Sequence, residues 1–192
     1  MINENFIYVG ALLNLIGSIS YVIDTIKGKT KPNRISWSLW ALAPMVAFFA
    51  MLGEGVSFTG ALMTFMVGFG PLLVLLASFL NKKSIWKITK FDIFCGLFSM
   101  ISILLWVSTK NTLLSLSFAV IADLMAGIPT IKKSWTYSDT ESSAPYSTGI
   151  INQIITFLII KDFSYINIAF PIYFVLINTI IILGIYRKKI FK

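Results

Sequence analysis

Long apolar stretches alternate with short polar gaps along this chain, and the gaps hold most of its basic residues. Fourteen of the 16 lysines and arginines fall into four clusters. The clusters are Lys27, Lys29, Lys31 and Arg34; Lys82, Lys83, Lys87 and Lys90; Lys132 and Lys133; and Arg187, Lys188, Lys189 and Lys192. Only 12% of the residues are charged, and the mean hydropathy is +0.84. A soluble chain could not cover its surface with so few polar groups, so the sequence predicts an integral membrane protein.

The apolar stretches approach the length of membrane-spanning helices, which need about 20 mostly apolar residues. Seven stretches are candidates, at residues 6–26, 35–52, 58–80, 91–108, 113–131, 148–160 and 166–186. The sixth is the shortest, and we expect its helix to begin near Pro145 or Tyr146. The sequence therefore predicts an all-α membrane protein with seven transmembrane helices.

The basic clusters follow the odd-numbered stretches, whereas the gaps after the even-numbered ones hold only Lys110 and Lys161. Lysine and arginine concentrate in cytoplasmic loops, which predicts an outside N-terminus and a cytoplasmic C-terminus. We expect a multi-pass protein of a plasma (inner) membrane, with anionic lipid headgroups at the basic loops. The basic residues border apolar segments instead of forming one stripe, which disfavours a nucleic-acid partner.

The sequence contains no histidine and a single cysteine, Cys95. Histidine is the commonest metal ligand and general base. One cysteine can form neither an intrachain disulfide nor a multi-cysteine metal site. We therefore expect no metal, no cofactor and no enzymatic activity.

Two boundaries recur at a separation of 105 residues. Thr25-Ile26-Lys27 ends the first stretch and Thr130-Ile131-Lys132 ends the fifth, while Lys82-Lys83 and Arg187-Lys188 follow the third and seventh. This predicts a three-helix repeat at residues 1–83, a linker helix at 84–110 and a second repeat at 111–192. A single linking helix leaves both triple-helix bundles in parallel orientation. A monomer carrying both bundles could form a complete pathway, and a homo-oligomer is equally compatible with the sequence.

This arrangement resembles the SWEET and PQ-loop superfamily of small transporters. Residues 127–134 resemble the PQ motif, with Pro129-Thr130 in place of Pro-Gln. The resemblance implies hinge prolines at Pro44 and Pro129 and a pocket asparagine at Asn178, although Leu73 stands at the matching level of the third stretch. Proton-coupled members of the superfamily use aspartates in these regions.

Several polar residues share one predicted depth in the membrane. Asp123 lies nine residues before Lys132, or about 13 Å inward at about 1.5 Å per residue. Asn178, Asn152 and Gln153 fall in the same central layer. Transporters built from repeats bind substrate at this depth, so we predict that these four side chains contact a small polar solute.

Asp123 is the candidate proton-coupling residue. An ionisable group at mid-membrane depth costs at least about 2.5 kcal/mol unless it faces a cavity or a partner. With no basic residue nearby in sequence, Asp123 should be partly desolvated and able to take up a proton. The alternative is a permanently protonated carboxyl that bonds a neighbouring helix, and the corresponding alternative for Asn178 is a hydrogen bond between helices.

Trp37 and Trp40 lie three residues apart, beside a basic loop. They have two interpretations: interfacial aromatic anchors, or the wall of a site for a ring-bearing substrate, to which we assign Trp40. A similar Trp-x-x-Trp pattern occurs in nicotinamide riboside transporters, whose fold resembles that of SWEETs.

Four prolines lie inside predicted helices: Pro44, Pro71, Pro129 and Pro171. Each removes a backbone hydrogen bond and bends its helix. Bent helices suit a molecule that opens alternately to either side, so we predict hinges; static adjustment of packing is the alternative. By contrast, residues 135–146, with Asp139 and Glu141, read as a solvated cytoplasmic connector.

The leading functional hypothesis is a small-solute transporter that works by alternating access, with possible proton coupling through Asp123. Two alternatives stay open on sequence grounds. One is a non-transporting seven-helix receptor or sensor of the KDEL-receptor type, and the other is a vitamin transporter of the nicotinamide riboside type.

Overall fold

The computed structural model describes residues 6–190, except for the side chains of residues 59 and 60. Lys192 and the outer ends of the predicted repeats, at 1–5 and 191–192, lie outside the described residues. Within the described part there are seven α-helices and two short 3-10 helices, with no strand. The α-helices are α1 Phe6–Ile26, α2 Arg34–Gly53, α3 Phe58–Ala77, α4 Lys90–Ser108, α5 Thr112–Thr136, α6 Ala144–Ile159 and α7 Tyr165–Ile190. The all-helical prediction is confirmed.

Five of these helices are long and apolar enough to cross a membrane: α1, α2, α4, α5 and α7. In α3 the apolar run Ala61–Ala77 is shorter, and α6 has 16 residues. Large apolar side chains such as Leu97 and Leu104 of α4 are exposed, each by 60%. Polar side chains such as Ser18, Asn152 and Asn178 are buried. An apolar outside around a polar inside is the arrangement expected in lipid.

Side-chain caps fix where three helices begin. The Asn33 side chain accepts hydrogen bonds from the main-chain nitrogens of Ile35 and Ser36 at the start of α2. Thr89 and Asp92 form a reciprocal capping box at the start of α4. Asn111 caps α5. Such caps are worth roughly 0.5–2 kcal/mol each.

Two helices extend beyond the apolar stretches that predict them. The fifth stretch ends at residue 131, but α5 continues to Thr136. Arg187 of α7 donates to the main-chain oxygens of Ser134 and Thr136, which satisfies carbonyls that a helix end leaves free. At the other boundary, α6 begins at Ala144, with Pro145 in its first turn, where the lost N–H carries no penalty.

The helices pack in two similar groups. In the first, α3 packs against both α1 and α2; in the second, α7 packs against both α5 and α6. Contacts of α1 with α6 and of α2 with α5 join the groups, and α4 packs against α5 and α2.

Glycines allow two of these approaches. A β-carbon at Gly17 of α1 would lie 3.1 Å from the Pro145 main chain and would collide with the Thr148 hydroxyl on α6. One at Gly68 of α3 would lie 3.1 Å from the main-chain oxygen of Ala41 on α2. Small residues at such contacts let helix backbones approach closely within a bilayer.

Candidate functional site: a central cavity

A cavity of about 520 Å³ lies among the helices, and all seven contribute to its lining. The five predicted substrate residues all line it: Asp123 of α5, Asn178 of α7, Asn152 and Gln153 of α6, and Trp40 of α2. The structure thus brings together residues separated by up to 138 positions in the chain, from 40 to 178. The volume suits a small organic molecule.

The four predicted hinge prolines all lie inside helices. Pro44 of α2 and Pro71 of α3 line the cavity. Pro129 of α5 and Pro171 of α7 are buried but are not among the lining residues. A bend at Pro44 or Pro71 would therefore change the shape of the cavity directly. A bend at Pro129 or Pro171 would act through residues outside the lining.

Asp123 is the one aspartate, glutamate, lysine or arginine among the described lining residues. The Tyr173 hydroxyl of α7 donates to its Oδ2 at 2.7 Å. The Trp40 indole N–H of α2 donates to the Asp123 main-chain oxygen at 3.4 Å. The carboxyl is therefore oriented by a neutral donor from α7, while a second neutral donor from α2 holds the main chain of the same residue.

Aromatic rings form part of the wall. The Trp37 and Trp40 rings meet edge to face, with centroids 5.4 Å apart, and Trp37 packs on Tyr21 at 4.9 Å. Trp37 is only 3% exposed, and both tryptophans line the cavity. An interfacial anchor reaches the headgroups, so the burial of Trp37 and the place of both rings in the lining favour the wall interpretation for this pair.

Two amides at the cavity have unmet hydrogen-bonding capacity. Nδ2 of Asn178 and Oδ1 of Asn14 are buried, and no described residue bonds to either atom. Asn178 is 5% exposed. A buried polar group without a partner costs about 1–3 kcal/mol, so these two atoms are unsatisfied polar groups in residues that line the cavity.

A buried polar cluster lies at one end of the cavity. The Lys133 ammonium lies 2.6 Å from Glu141 Oε1, and both side chains are 0% exposed. The Tyr21 hydroxyl donates to Glu141 Oε2 at 2.7 Å, and the Tyr146 hydroxyl donates to the same oxygen at 3.4 Å. Tyr146 also lines the cavity, so this cluster, which we name the latch, adjoins the cavity through that residue.

The latch joins parts of the chain that are far apart. Tyr21 belongs to α1, Lys133 to α5 and Tyr146 to α6. Lys133 also donates to the main-chain oxygen of Lys31 in the loop between α1 and α2. The prediction of a solvated connector at residues 135–146 is therefore wrong for Glu141, because the carboxylate folds inward to neutralise a buried lysine.

The prediction holds for Asp139 in the same loop. Its side chain is 82% exposed and meets the exposed Lys188 ammonium at 3.0 Å. The hydrogen bond from Lys188 lowers the pKa of Asp139 below its usual value. This pair is a surface ion pair, unlike the latch.

The cavity extends toward the end of the molecule opposite the latch. Its lining includes Ile7 at the start of α1 and Ile159 and Ile160 at the end of α6. Those helices run antiparallel, because Gly10 approaches Asn152 while Gly17 approaches Thr148. One end of the cavity thus reaches the helix termini far from the basic clusters.

Depth counting from the sequence missed Tyr173, which bonds Asp123, and Trp106, which lines the cavity. Ser18, which the same count places at the level of Asp123, and Asn14, one turn further out, also line the cavity. Tyr173 lies five residues before Asn178 on the same helix, so a search for hydroxyls within two turns of a predicted site residue would have found it. No comparable signal pairs Glu141 with Lys133.

Within residues 6–190 no three histidine, cysteine, aspartate or glutamate side chains come together in a group suited to a metal ion. Comparison of the chain with protein-family models, with curated proteins and with solved structures finds no match.

Proposed function

We propose that this protein is a small-solute membrane transporter that works by alternating access. The observation that carries the proposal is the central cavity, which is lined by every described α-helix, adjoined by the latch at one end and extended to the helix termini at the other. A polar site between two helix groups is where transporters of repeat architecture bind their substrates.

The proposed architecture is two parallel triple-helix bundles, at 1–83 and 111–192, joined by a linker helix at 84–110. The packing supports this architecture. If α1, α2 and α3 correspond to α5, α6 and α7, then α3 and α7 occupy the same position in their groups, and the α1–α6 contact corresponds to the α2–α5 contact. We place the N-terminus outside and the C-terminus in the cytoplasm of a plasma membrane, with anionic headgroups at the basic loops. In that orientation the latch closes the cytoplasmic side.

In the proposed cycle, Asn178, Asn152, Gln153 and Trp40 orient the solute, and Asp123 takes up a proton. Pro44, Pro71, Pro129 and Pro171 absorb the bending when one bundle rocks against the other. Opening the cytoplasmic side must separate Tyr21 of the first bundle from Glu141 of the second. The latch is therefore the contact that the cycle makes and breaks.

The first experiment finds a solute. The purified chain is screened by thermal shift against sugars, amino acids, nucleosides and vitamins at about pH 5 and about pH 8, because ligand binding raises the melting temperature by mass action. Solutes that bind are then tested for counterflow in proteoliposomes. Exchange of labelled solute supports transport; binding without exchange by a folded protein would contradict it and favour a receptor of the KDEL-receptor type.

The role of Asp123 is tested in the same vesicles. Asp123→Asn keeps the side-chain shape and an oxygen that accepts from Tyr173, but it cannot gain or lose a proton. We expect counterflow to persist while accumulation driven by a pH gradient disappears. Glu54→Gln, at an exposed position at the end of α2, is the matched control. Unchanged proton-driven accumulation in Asp123→Asn would remove the coupling role.

One observation favours a narrower candidate. The Trp37–Trp40 pair presents ring surface to the cavity, as a transporter of ring-bearing vitamins of the nicotinamide riboside type would need. This candidate predicts that nucleosides and ring-bearing vitamins raise the melting temperature more than sugars of similar size.

A further inference from the structure

The electrostatic character of the cavity is one-sided. Among the described lining residues, Asp123 is the one aspartate, glutamate, lysine or arginine. Its carboxylate is therefore the one formal charge in the described lining. Its hydrogen-bond donor, Tyr173, is neutral. The buried Lys133 ammonium is committed to Glu141, which holds it at 2.6 Å in the latch. The carboxylate of Asp123 therefore lacks a permanent counter-charge from the residues around it.

The walls beside this carboxylate are suited to a positive charge. Trp40 bonds the Asp123 main chain and stacks edge to face with Trp37. Phe170 and Phe174 of α7 add stacked rings 5.9 Å apart, and both line the cavity. The faces of aromatic rings carry negative partial charge and attract ammonium groups.

The unpartnered amides define the rest of the ligand. Nδ2 of Asn178 is a donor with no partner among the described residues, so it suits a hydroxyl or carbonyl oxygen. Oδ1 of Asn14 is a buried acceptor that also has no partner among the described residues, so it suits an N–H or O–H donor. A ligand with a cationic head and one oxygen would meet both the charge and the donor.

We propose that the central cavity binds a monovalent organic cation, with its ammonium group at Asp123, its apolar body against the tryptophan and phenylalanine rings, and an oxygen at Asn178. The movement of this cation across the membrane rests on the proposed transport function, whereas its binding does not. Zwitterionic amino acids fit less well, because a second carboxylate would meet Asp123 without a basic group to balance it. Neutral sugars fit less well because they carry no positive charge to pair with the carboxylate.

One carboxylate neutralises one positive charge, so a proton and the cation exclude each other at Asp123. The α-helices that pack on α5 are α2, α4 and α7, and the 3-10 helix Ser138–Thr140 also packs on it. Asp139 of that 3-10 helix is exposed and paired with Lys188. Toward the cavity α2 presents the non-titrating Trp40, and α4 presents Ser99, Ile103 and Trp106. The Tyr173 hydroxyl of α7 donates to the Asp123 carboxyl. Tyr146 of α6 is engaged with Glu141. The site therefore exchanges one cation for one proton.

The binding test uses probes that differ only in charge. Choline and 3,3-dimethyl-1-butanol have the same shape, but the second has carbon in place of the cationic nitrogen. Binding of both to the full chain in nanodiscs is measured by calorimetry, together with benzyltrimethylammonium as a ring-bearing cation. We expect both cations to bind and the neutral isostere to bind about tenfold more weakly or not at all. Equal binding of choline and its isostere, or binding of neither cation, overturns the proposal.

Variants locate the charge. Asp123→Asn should weaken choline binding by about tenfold or more and leave the isostere unchanged, while Glu54→Gln should change neither. Choline affinity that survives Asp123→Asn overturns the assignment to this carboxyl. If Asp123→Asn fails to fold, the comparison of choline with its isostere on the unaltered chain still decides the question.

Counterflow in proteoliposomes separates this inference from the proposed function. Cations that bind but never exchange leave the cation site standing and contradict transport. Neutral solutes that exchange, in a protein that binds no cation, leave transport standing and contradict the cation site.

Discussion

At the residue scale, the most constrained group is the ion pair of Lys133 and Glu141. Both side chains are fully removed from solvent, and the tyrosine hydroxyls of α1 and α6 complete the hydrogen bonding of the carboxylate. The cost of desolvating two charges is high, and the pair recovers it only while both partners are present. The latch is consequently sensitive to the loss of either charge.

Lys133→Met and Glu141→Gln should each lower the free energy of unfolding by about 3–5 kcal/mol, because each leaves one buried charge unpaired. The double variant should be more stable than either single variant. The measurement is reversible unfolding in mixed micelles, analysed as a double-mutant cycle. Lys188→Met and Asp139→Asn, which remove the exposed pair of the same loop, serve as controls and should leave the melting temperature unchanged. Additive losses at Lys133 and Glu141 would show that the pair is not coupled.

Asn178 separates a binding role from a structural one. Its Nδ2 has no partner among the described residues, so Asn178→Leu removes an unmet donor and should keep or raise the melting temperature while it abolishes solute binding. An asparagine that served as interhelical glue would instead lose stability on substitution. Asn33→Leu provides the contrast: Asn33 caps α2 and donates to Asp92 at 3.0 Å, and its loss should cost about 1–3 kcal/mol. A large loss of stability in Asn178→Leu would contradict the site assignment.

At the element scale, some helices end where an apolar run ends, and others end where side-chain contacts stabilise a polar turn. The bounds of α1, Phe6–Ile26, coincide with the predicted stretch because the apolar run and the helix stop together. The last turn of α5 escaped prediction, since contacts from Arg187 stabilise a polar turn that apolar periodicity does not detect. The start of α6 at Ala144 lies one residue from the expected start at Pro145. Depth along a helix placed Asp123 and Asn178 correctly at one cavity. Depth along a helix does not tell which way a side chain faces around the helix axis, so the contact between Tyr173 and Asp123 could not be derived from the sequence.

Gly17 tests how closely α1 and α6 approach. Gly17→Ala places a methyl group against the Pro145 main chain and the Thr148 hydroxyl, and such overpacking should lower the free energy of unfolding by about 1–3 kcal/mol. Gly53→Ala is the matched control, because a β-carbon there meets nothing within 4 Å. It should be neutral or stabilising by up to about 1 kcal/mol. Equal melting temperatures for the two variants would mean that α1 and α6 are farther apart than the structure places them.

At the scale of the whole molecule, the basic residues and the cavity distinguish the same two ends. The latch and the described residues of the four basic clusters lie at one end, whereas the cavity extends toward the other. Opening at the latch end therefore requires the hydrogen bond between Tyr21 and Glu141 to break. Opening at the other end requires the start of α1, near Ile7, to stay apart from the end of α6, near Ile159. The proposed cycle consequently depends on which end faces the cytoplasm.

Single cysteines determine that orientation. Cys95 is buried at 1% exposure, and Cys95→Ala provides a background without thiols. In it, Ile88→Cys marks the gap between α3 and α4, and Phe163→Cys marks the gap between α6 and α7; both positions are exposed, by 41% and 62%, and neither change alters charge. A membrane-impermeant maleimide should label position 163 in intact cells and position 88 only after lysis, because the basic clusters favour the cytoplasm. The reverse pattern would place the latch on the outside, and the state described here would then open to the cytoplasm, with Asp123 exchanging its proton with the opposite compartment.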